Sequence, residues 1–156
     1  MQLTQKEMSL LKDLKEQEQI CIEKYNKYSN EAVDGQLKGL FKQIGSKEQE
    51  HLNTINQILN GTVPQMQSGQ SGGSSQVQLN FTPTYNQADT PDKQKDNFLC
   101  TDLLSTEKYV SSEYNTSVFE FRDTNIRKVL NHIQKEEQEH GEMLYNYMAQ
   151  NGMYNN

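Results

Sequence analysis

Lys47-Glu48-Gln49-Glu50-His51 has a near copy close to the other end of the chain, Glu136-Glu137-Gln138-Glu139-His140. In each stretch a Glu and a His stand three residues apart, within a run that has the periodicity of an amphipathic helix, so both side chains leave the same helical face. The same offset of 89 residues aligns further pairs: Glu18 with Glu107, Tyr25 with Tyr114, Leu14 with Leu103, Asp34 with Asp123, Leu37 with Ile126, Phe41 with Leu130, Ile44 with Ile133 and Ile55 with Leu144. The chain therefore contains a two-fold internal repeat.

Composition limits the classes of protein to which the chain can belong. Its 156 residues suffice for one domain with a core, which we place at residues 1–156. The hydrophobic content of 33% and mean hydropathy of -0.94 are typical of solvated helices. A net charge of -6 argues against nucleic acid or an anionic membrane as a partner. The polar N-terminus lacks the apolar core of a signal peptide, so we expect synthesis in the cytosol.

The apolar periodicity and the capping signals predict an all-α protein with four helices. Thr4 and Glu7 form a capping-box pattern, Asp34 and Asp123 stand at two further helix starts, and Thr90 precedes a proline. The predicted bounds are helix A 5–32, helix B 35–59, helix C 91–121 and helix D 124–150. Helices A and B form one antiparallel hairpin, and helices C and D form the other.

Residues 60–90 form the predicted crossover between the hairpins. The tract Gln67–Ser75 is rich in Gly, Ser and Gln and predicts a flexible linker. About thirty residues can extend to roughly 100 Å, enough to return the chain to the opposite end of a bundle. Val77, Leu79 and Phe81 alternate with polar residues, which favours an extended segment lying on the bundle over an edge that binds a partner.

The helical periodicity places Glu48 and His51 where helix B should bury another leucine. Four such carboxylates at one level of a bundle repel one another and lose their hydration, so they need cations to neutralise them. Two divalent ions with two imidazoles complete a set that suits iron or manganese. The candidate metal ligands are Glu18, Glu48, His51, Glu107, Glu137 and His140.

Other residues with the same chemistry are assigned to the surface or to the core. An isolated Glu-x-x-His is more often a solvated helix face. His132 lies outside the repeated set and is read as a surface residue, and Glu136 is read as a solvated glutamate. Cys21 and Cys100 fit no disulfide or zinc pattern, so they are read as buried thiols, with redox reactivity near a metal as the alternative.

The order of these six residues resembles the ferritin-like superfamily, in particular its rubrerythrin and manganese catalase branches. The resemblance implies a ferritin-like four-helix bundle in which Glu48 and Glu137 bridge the metals. Glu18 and Glu107 would be terminal ligands, and His51 and His140 would bind one metal each. It also implies that Tyr25 and Tyr114 hydrogen-bond to carboxylates across the site, although core packing alone is the other interpretation of these tyrosines.

A second resemblance lies in the last third of the chain, and it is to the spore coat F family of endospore-forming bacteria. It is carried by the stretches Asp102-Leu103-Leu104-Ser105-Thr106-Glu107-Lys108-Tyr109, Tyr114-Asn115-Thr116, Tyr147-Met148 and Gly152-Met153-Tyr154. The resemblance implies a place in the spore coat, with other coat proteins as partners; a homodimer is also compatible with it.

Two functions follow as expectations. The first is a dinuclear iron or manganese protein that reacts with oxygen or peroxide, as a peroxidase-like or catalase-like oxidoreductase would. The second is a structural component of the spore coat whose metal site is structural or vestigial.

Overall fold

The computed structural model describes residues 2–66 and 77–154, and that part of the chain contains four helices and no strand. The helices are α1 (Gln5–Glu31), α2 (Gly35–Leu59), α3 (Pro91–Val118) and α4 (Thr124–Gln150). The predicted all-α class is confirmed, and the arrangement is compatible with a four-helix bundle. Its ferritin-like character stays a prediction. Among the described residues, no helix has both the length and the apolarity needed to cross a membrane.

Each helix begins at a residue whose side chain caps it. Thr4 and Glu7 form the predicted capping box of α1. Asp34 accepts a hydrogen bond from the amide of Gln36, and Asp123 caps α4 in the same way. Thr90 caps α3, with proline in the first turn. These caps confirm the predicted helix starts.

Two helices end earlier than predicted. Helix A was expected to reach residue 32, but Ala32 is its C-terminal cap. Helix C was expected to reach residue 121, but α3 ends at Val118. The amide of Arg122 donates to the carboxylate of Glu7 at 3.2 Å instead of continuing the helix. Phe121 leaves the helical path because its ring is buried in the core.

The two hairpins pack against each other in antiparallel fashion. α1 packs mainly on α2, and α3 packs mainly on α4. Between the hairpins, the contacts run in opposite directions along the paired helices. Glu18 contacts Tyr114 and Tyr25 contacts Glu107, so α1 and α3 are antiparallel. Glu48 contacts His140 and His51 contacts Glu137, so α2 and α4 are antiparallel as well. Homologous points of the two repeats therefore meet at the middle of the assembly.

A buried aspartate fastens the turn between α1 and α2 to the start of α3. Asp96 accepts hydrogen bonds from the amides of Val33 at 2.8 Å and Asp34 at 3.0 Å. It also accepts one from the hydroxyl of Tyr85 at 2.6 Å, so the connection before α3 is held by the same carboxylate. The Asp96 side chain is completely buried, and both of its oxygens accept hydrogen bonds.

The described part of the connection between α2 and α3 lies along the helices. Met66 borders a cavity with Asn125, at the start of α4, whereas Phe81 packs edge-on against Tyr147 near the end of α4. The two described ends of this connection therefore lie near opposite ends of α4. The Leu79 side chain is 41% exposed, whereas Phe81 is buried. The backbone carbonyl of Leu79 accepts a hydrogen bond from the side chain of Gln150. The predicted flexible tract Gln67–Ser75 lies outside the described residues.

Candidate metal centre

The structure brings all six predicted ligands together in the interior. Each is at most 3% exposed. On α2 the buried stripe Leu37, Phe41 and Ile44 continues to Glu48 and His51, and the equivalent stripe of α4 continues to Glu137 and His140. Glu18 comes from α1 and Glu107 from α3. The cluster therefore interrupts an otherwise apolar core with four carboxyl groups and two imidazoles.

The six side chains form two overlapping groups of four. One contains Glu18, Glu48, His51 and Glu137, and the other contains Glu48, Glu107, Glu137 and His140. Within each group, one potential ligand atom from every residue lies within 4.8 Å of the others. Glu48 and Glu137 belong to both groups. Two neighbouring ions that share two carboxylates would have this arrangement of ligands.

The potential ligand atoms approach closely without forming hydrogen bonds. Nδ1 of His140 lies 2.7 Å from Oε1 of Glu48, and Nδ1 of His51 lies 2.8 Å from Oε1 of Glu137. None of these four atoms has a hydrogen-bond partner, and the same is true of the Oε2 atoms of Glu18, Glu48, Glu107 and Glu137. A cation about 2.1 Å from each of two neighbouring ligands holds them about 3 Å apart. The spacing and the unused lone pairs therefore fit divalent cations.

Without such ions, burial favours the protonated forms of Glu18 and Glu137. Burial, reinforced by the nearby charges of Glu48 and Glu137, raises the pKa of Glu18 well above its ordinary value. Burial, together with Glu107, raises the pKa of Glu137. A divalent ion bound at the centre would replace these protons, because it neutralises the same negative charge.

The nearby carboxylates raise the pKa of both imidazoles and so favour their charged forms. Burial alone would lower the pKa of His51, but hydrogen bonding to Glu136 and the contact with Glu137 outweigh it and raise the pKa to about 10. Burial opposes the charge of His140 too, yet Glu107 and its neighbours raise that pKa well above the ordinary value. Metal binding would release these protons, since histidine coordinates as the neutral ring.

Two tyrosines cross between the hairpins and orient the terminal carboxylates. The hydroxyl of Tyr25 in α1 donates to Oε1 of Glu107 in α3 at 2.6 Å. The hydroxyl of Tyr114 in α3 donates to Oε1 of Glu18 in α1, also at 2.6 Å. In both carboxylates the second oxygen makes no hydrogen bond. Each tyrosine therefore fixes one oxygen of a carboxyl group whose second oxygen makes no hydrogen bond and is free to bind a cation.

Glu136 belongs to the site, and the prediction that it is a surface residue is wrong. Only 7% of it is exposed, and its Oε1 lies 3.1 Å from Nε2 of His51 and 3.0 Å from Nε2 of His132. Lys47 approaches its other oxygen at 3.6 Å. Burial opposes ionisation, but His51, His132 and Lys47 outweigh it and lower the pKa of Glu136 to about 2. Glu136 therefore holds Nε2 of His51 and turns Nδ1 towards the cluster.

One sequence signal could have identified Glu136. Residue 47 is the equivalent of residue 136 in the repeat, and the two carry opposite charges, Lys47 and Glu136. Equivalent positions of a two-fold repeat meet near its axis, so opposite charges there predict an ion pair. His132, also assigned to the surface, is only partly exposed because it borders Glu136.

The cysteines behave as predicted from their isolation in the sequence. Cys21 and Cys100 are both free and buried. Burial, with the nearby carboxylates adding to it, raises the pKa of the Cys21 thiol, so this group stays protonated and unreactive.

A comparison with protein families identifies the last part of the chain. Residues 95–156 match the family model of the Coat F domain. The matched segment covers less than half of the chain, and it carries Glu107, Tyr114, Glu137 and His140. It supports the resemblance to the spore coat F family. The comparisons with curated proteins and with solved structures gave no match.

Proposed function

We propose that this protein is a spore coat component that binds two iron or manganese ions between its hairpins and reacts there with oxygen or peroxide. The assignment to the coat rests on the match of residues 95–156 to the Coat F domain. The metal assignment rests on a single observation, the two buried groups of ligands that share Glu48 and Glu137.

The donor chemistry supports iron or manganese as the ions. Each group offers three carboxylates and one imidazole, and hard oxygen donors with imidazole suit these metals better than a structural zinc site bound by thiolates. Glu48 and Glu137 would bridge the ions, and Glu18 and Glu107 would each bind one ion. The four carboxylates balance the charge of two divalent ions.

The surroundings of the centre support reactivity with a small oxidant. Two bound redox-active ions would supply the electrons for reducing oxygen or peroxide. The protein contributes a centre that is largely shielded from solvent, since every ligand is at least 97% buried. A cavity of about 270 Å³, bordered by His140, Lys47 and Glu136, gives a small molecule a route to the centre.

Elemental analysis of protein purified without chelator tests the metal assignment. We expect about two iron or manganese atoms per chain. Glu137→Gln alters a ligand common to both groups and should lose both ions, whereas Glu18→Gln should weaken one of them. Glu16→Gln, at an exposed position two residues away on the same helix, is the matched control. A wild-type protein without metal, or equal metal content in all variants, would contradict the proposal.

The second candidate is a purely structural coat protein whose metal site does no redox chemistry. It is favoured by the Coat F match, which concerns the coat and not a reaction. Its partners would be other coat proteins or a second copy of this chain. Peroxide consumption by metal-loaded protein distinguishes the two candidates. Normal incorporation of a Glu48→Ala variant into spores, with metal but no turnover in the wild type, would favour the structural function.

A further inference from the structure

A second cavity, of about 460 Å³, lies between α3 and α4 and reaches the candidate metal centre from another side. Its buried lining consists of Leu104, Glu107 and Glu137, so two predicted ligands form its floor. Lys108 and Gln138 lie at its exposed mouth. The cavity therefore connects solvent with one of the two ligand groups.

A glycine inside α4 lines the cavity. Gly141 lies one residue after His140, and a Cβ atom placed on it would stand 3.6 Å from Cδ1 of Leu104. Any longer side chain would occupy the space in front of that leucine. Glycine within a helix costs about 1 kcal/mol relative to alanine. Space for a ligand is a physical reason to have glycine here.

The first half of the repeat has no such lining, although it has the same ligands. Leu52 stands at the position equivalent to Gly141 and is half-buried. Lys15 is the equivalent of Leu104, and Asn56 is the equivalent of Tyr145. The two halves therefore agree in ligands and differ in the residues that shape this cavity, which points to a use confined to the second hairpin.

The turn after α4 adds an aromatic wall. Gly152 has a φ of +67°, which permits a tight helix ending in which the amide of Met153 donates to the carbonyl of Met148 at 2.8 Å. This turn brings Tyr154 against Tyr145, with ring centroids 4.9 Å apart and planes at 72°. Both rings line the cavity.

We infer that this cavity binds a neutral organic molecule with one aromatic ring, of the phenol class, beside Glu107 and Glu137. A cavity of about 150 Å³ is enough for benzene, and ligand pockets typically span about 300 to 1,000 Å³. The tyrosine rings offer edge or face contacts to a ring. Oε2 of Glu107 and Oε2 of Glu137 make no hydrogen bond, so either can accept one from a hydroxyl group in the cavity. The position of the ligand beside a metal rests on the proposed function, whereas the existence of the cavity is independent of it.

Titration of phenol into metal-free protein in chelator, followed by amide NMR, tests the inference independently of catalysis. Resonances of Leu104, Gly141 and Tyr145 should shift in a saturable manner. Gly141→Leu should weaken binding by about tenfold or more, because the side chain takes the ligand's place. Gly39→Leu is the matched control, since Gly39 is exposed in α2 with nothing within 4 Å of an added Cβ.

A milder variant and a charged probe complete the test. Gly141→Ala adds one methyl at ordinary contact distance, so it should keep the fold and weaken binding by less than the leucine variant. Benzoate should bind at least about tenfold more weakly than phenol, because the buried lining of Leu104, Glu107 and Glu137 offers its charge no cationic partner. The inference would be overturned if phenol shifted only resonances away from the cavity, if Gly141→Leu bound phenol as tightly as the wild type, or if benzoate bound as tightly as phenol.

The outcome also separates this inference from the proposed function. Two metal ions per chain with no phenol binding would leave the metal centre standing and remove the ligand pocket. Phenol binding in a protein that takes up no metal would leave the pocket and remove its role beside an ion.

Discussion

Replacing Glu18 by Gln should have opposite effects on stability with and without metal. In the metal-free protein, burial and the charges of Glu48 and Glu137 raise the pKa of Glu18. The folded chain therefore holds a proton that the unfolded chain has lost above its ordinary pKa of 4.5. Gln resembles the protonated form: its carbonyl can accept from Tyr114, and its amide can donate to Glu48. The substitution should therefore remove a cost of ionisation without removing the tyrosine's partner.

The sign and the size follow from proton linkage. For an acid whose pKa is raised by folding, stability is fully present below the unfolded pKa and is lost as pH rises towards the folded pKa. The loss is about 1.4 kcal/mol for each pH unit in that window. For a chain of this length, 1 kcal/mol shifts the melting temperature by about 2 to 4 °C. The wild type should therefore lose about 3 to 6 °C more in melting temperature per pH unit than Glu18→Gln.

Urea and thermal unfolding in chelator at pH 5, 6 and 7 measure this difference. Glu18→Gln should overtake the wild type as pH rises, while the exposed control Glu16→Gln should follow the wild type. The histidines change ionisation with pH in both proteins, so their contribution to the difference in stability largely cancels. Added Mn²⁺ should make the wild type more stable than Glu18→Gln, because the wild type offers all four ligands to the ion that Glu18 helps to bind, whereas the variant has lost one carboxylate. A variant less stable than the wild type at pH 7 in chelator would refute the reasoning.

Two further substitutions probe the surroundings of the centre. Asp96→Ala should lower the free energy of unfolding by about 2 to 6 kcal/mol, because it leaves the amides of Val33 and Asp34 without a partner at roughly 1 to 3 kcal/mol each. Urea unfolding, with exposed Asp13→Ala as control, checks this, and a loss below 1 kcal/mol would contradict it. Glu136→Gln should weaken Mn²⁺ binding by about 10-fold to 100-fold, because it loosens the hold on His51. Calorimetric titration measures the affinity, and an unchanged affinity would show that Glu136 does not position the imidazole.

The sequence predicted those parts of the site that depend on helical periodicity and on the repeat. Glu48 and His51 occupy core positions of an amphipathic pattern, and the repeat then identifies Glu137 and His140. The capping side chains likewise predicted where the helices begin, because a cap is a local interaction. The structure places all six residues within one buried cluster.

The parts that were missed depend on contacts between distant segments. Glu136 points about 100° away from Glu137 on its own helix, which made it look solvated. Lys47 and His51 of α2 cover it, and no pattern within α4 reveals that. Similarly, the end of α3 is set by Glu7, which takes the amide of Arg122 from a position 115 residues earlier. The cavity at Gly141 depends on the turn that places Tyr154, which periodicity does not describe.

The division of ligands between the hairpins has a consequence for chain architecture. Each group of four draws three residues from one half and one from the other, with Glu137 completing the first group and Glu48 completing the second. Neither half can enclose an ion alone. A shorter ancestor with a single hairpin would have needed a second molecule, related by a true rotation axis, to complete both coordination spheres. Joining two such hairpins in one polypeptide makes that assembly independent of protein concentration and frees each half to diverge, as Gly141 and Leu52 have done.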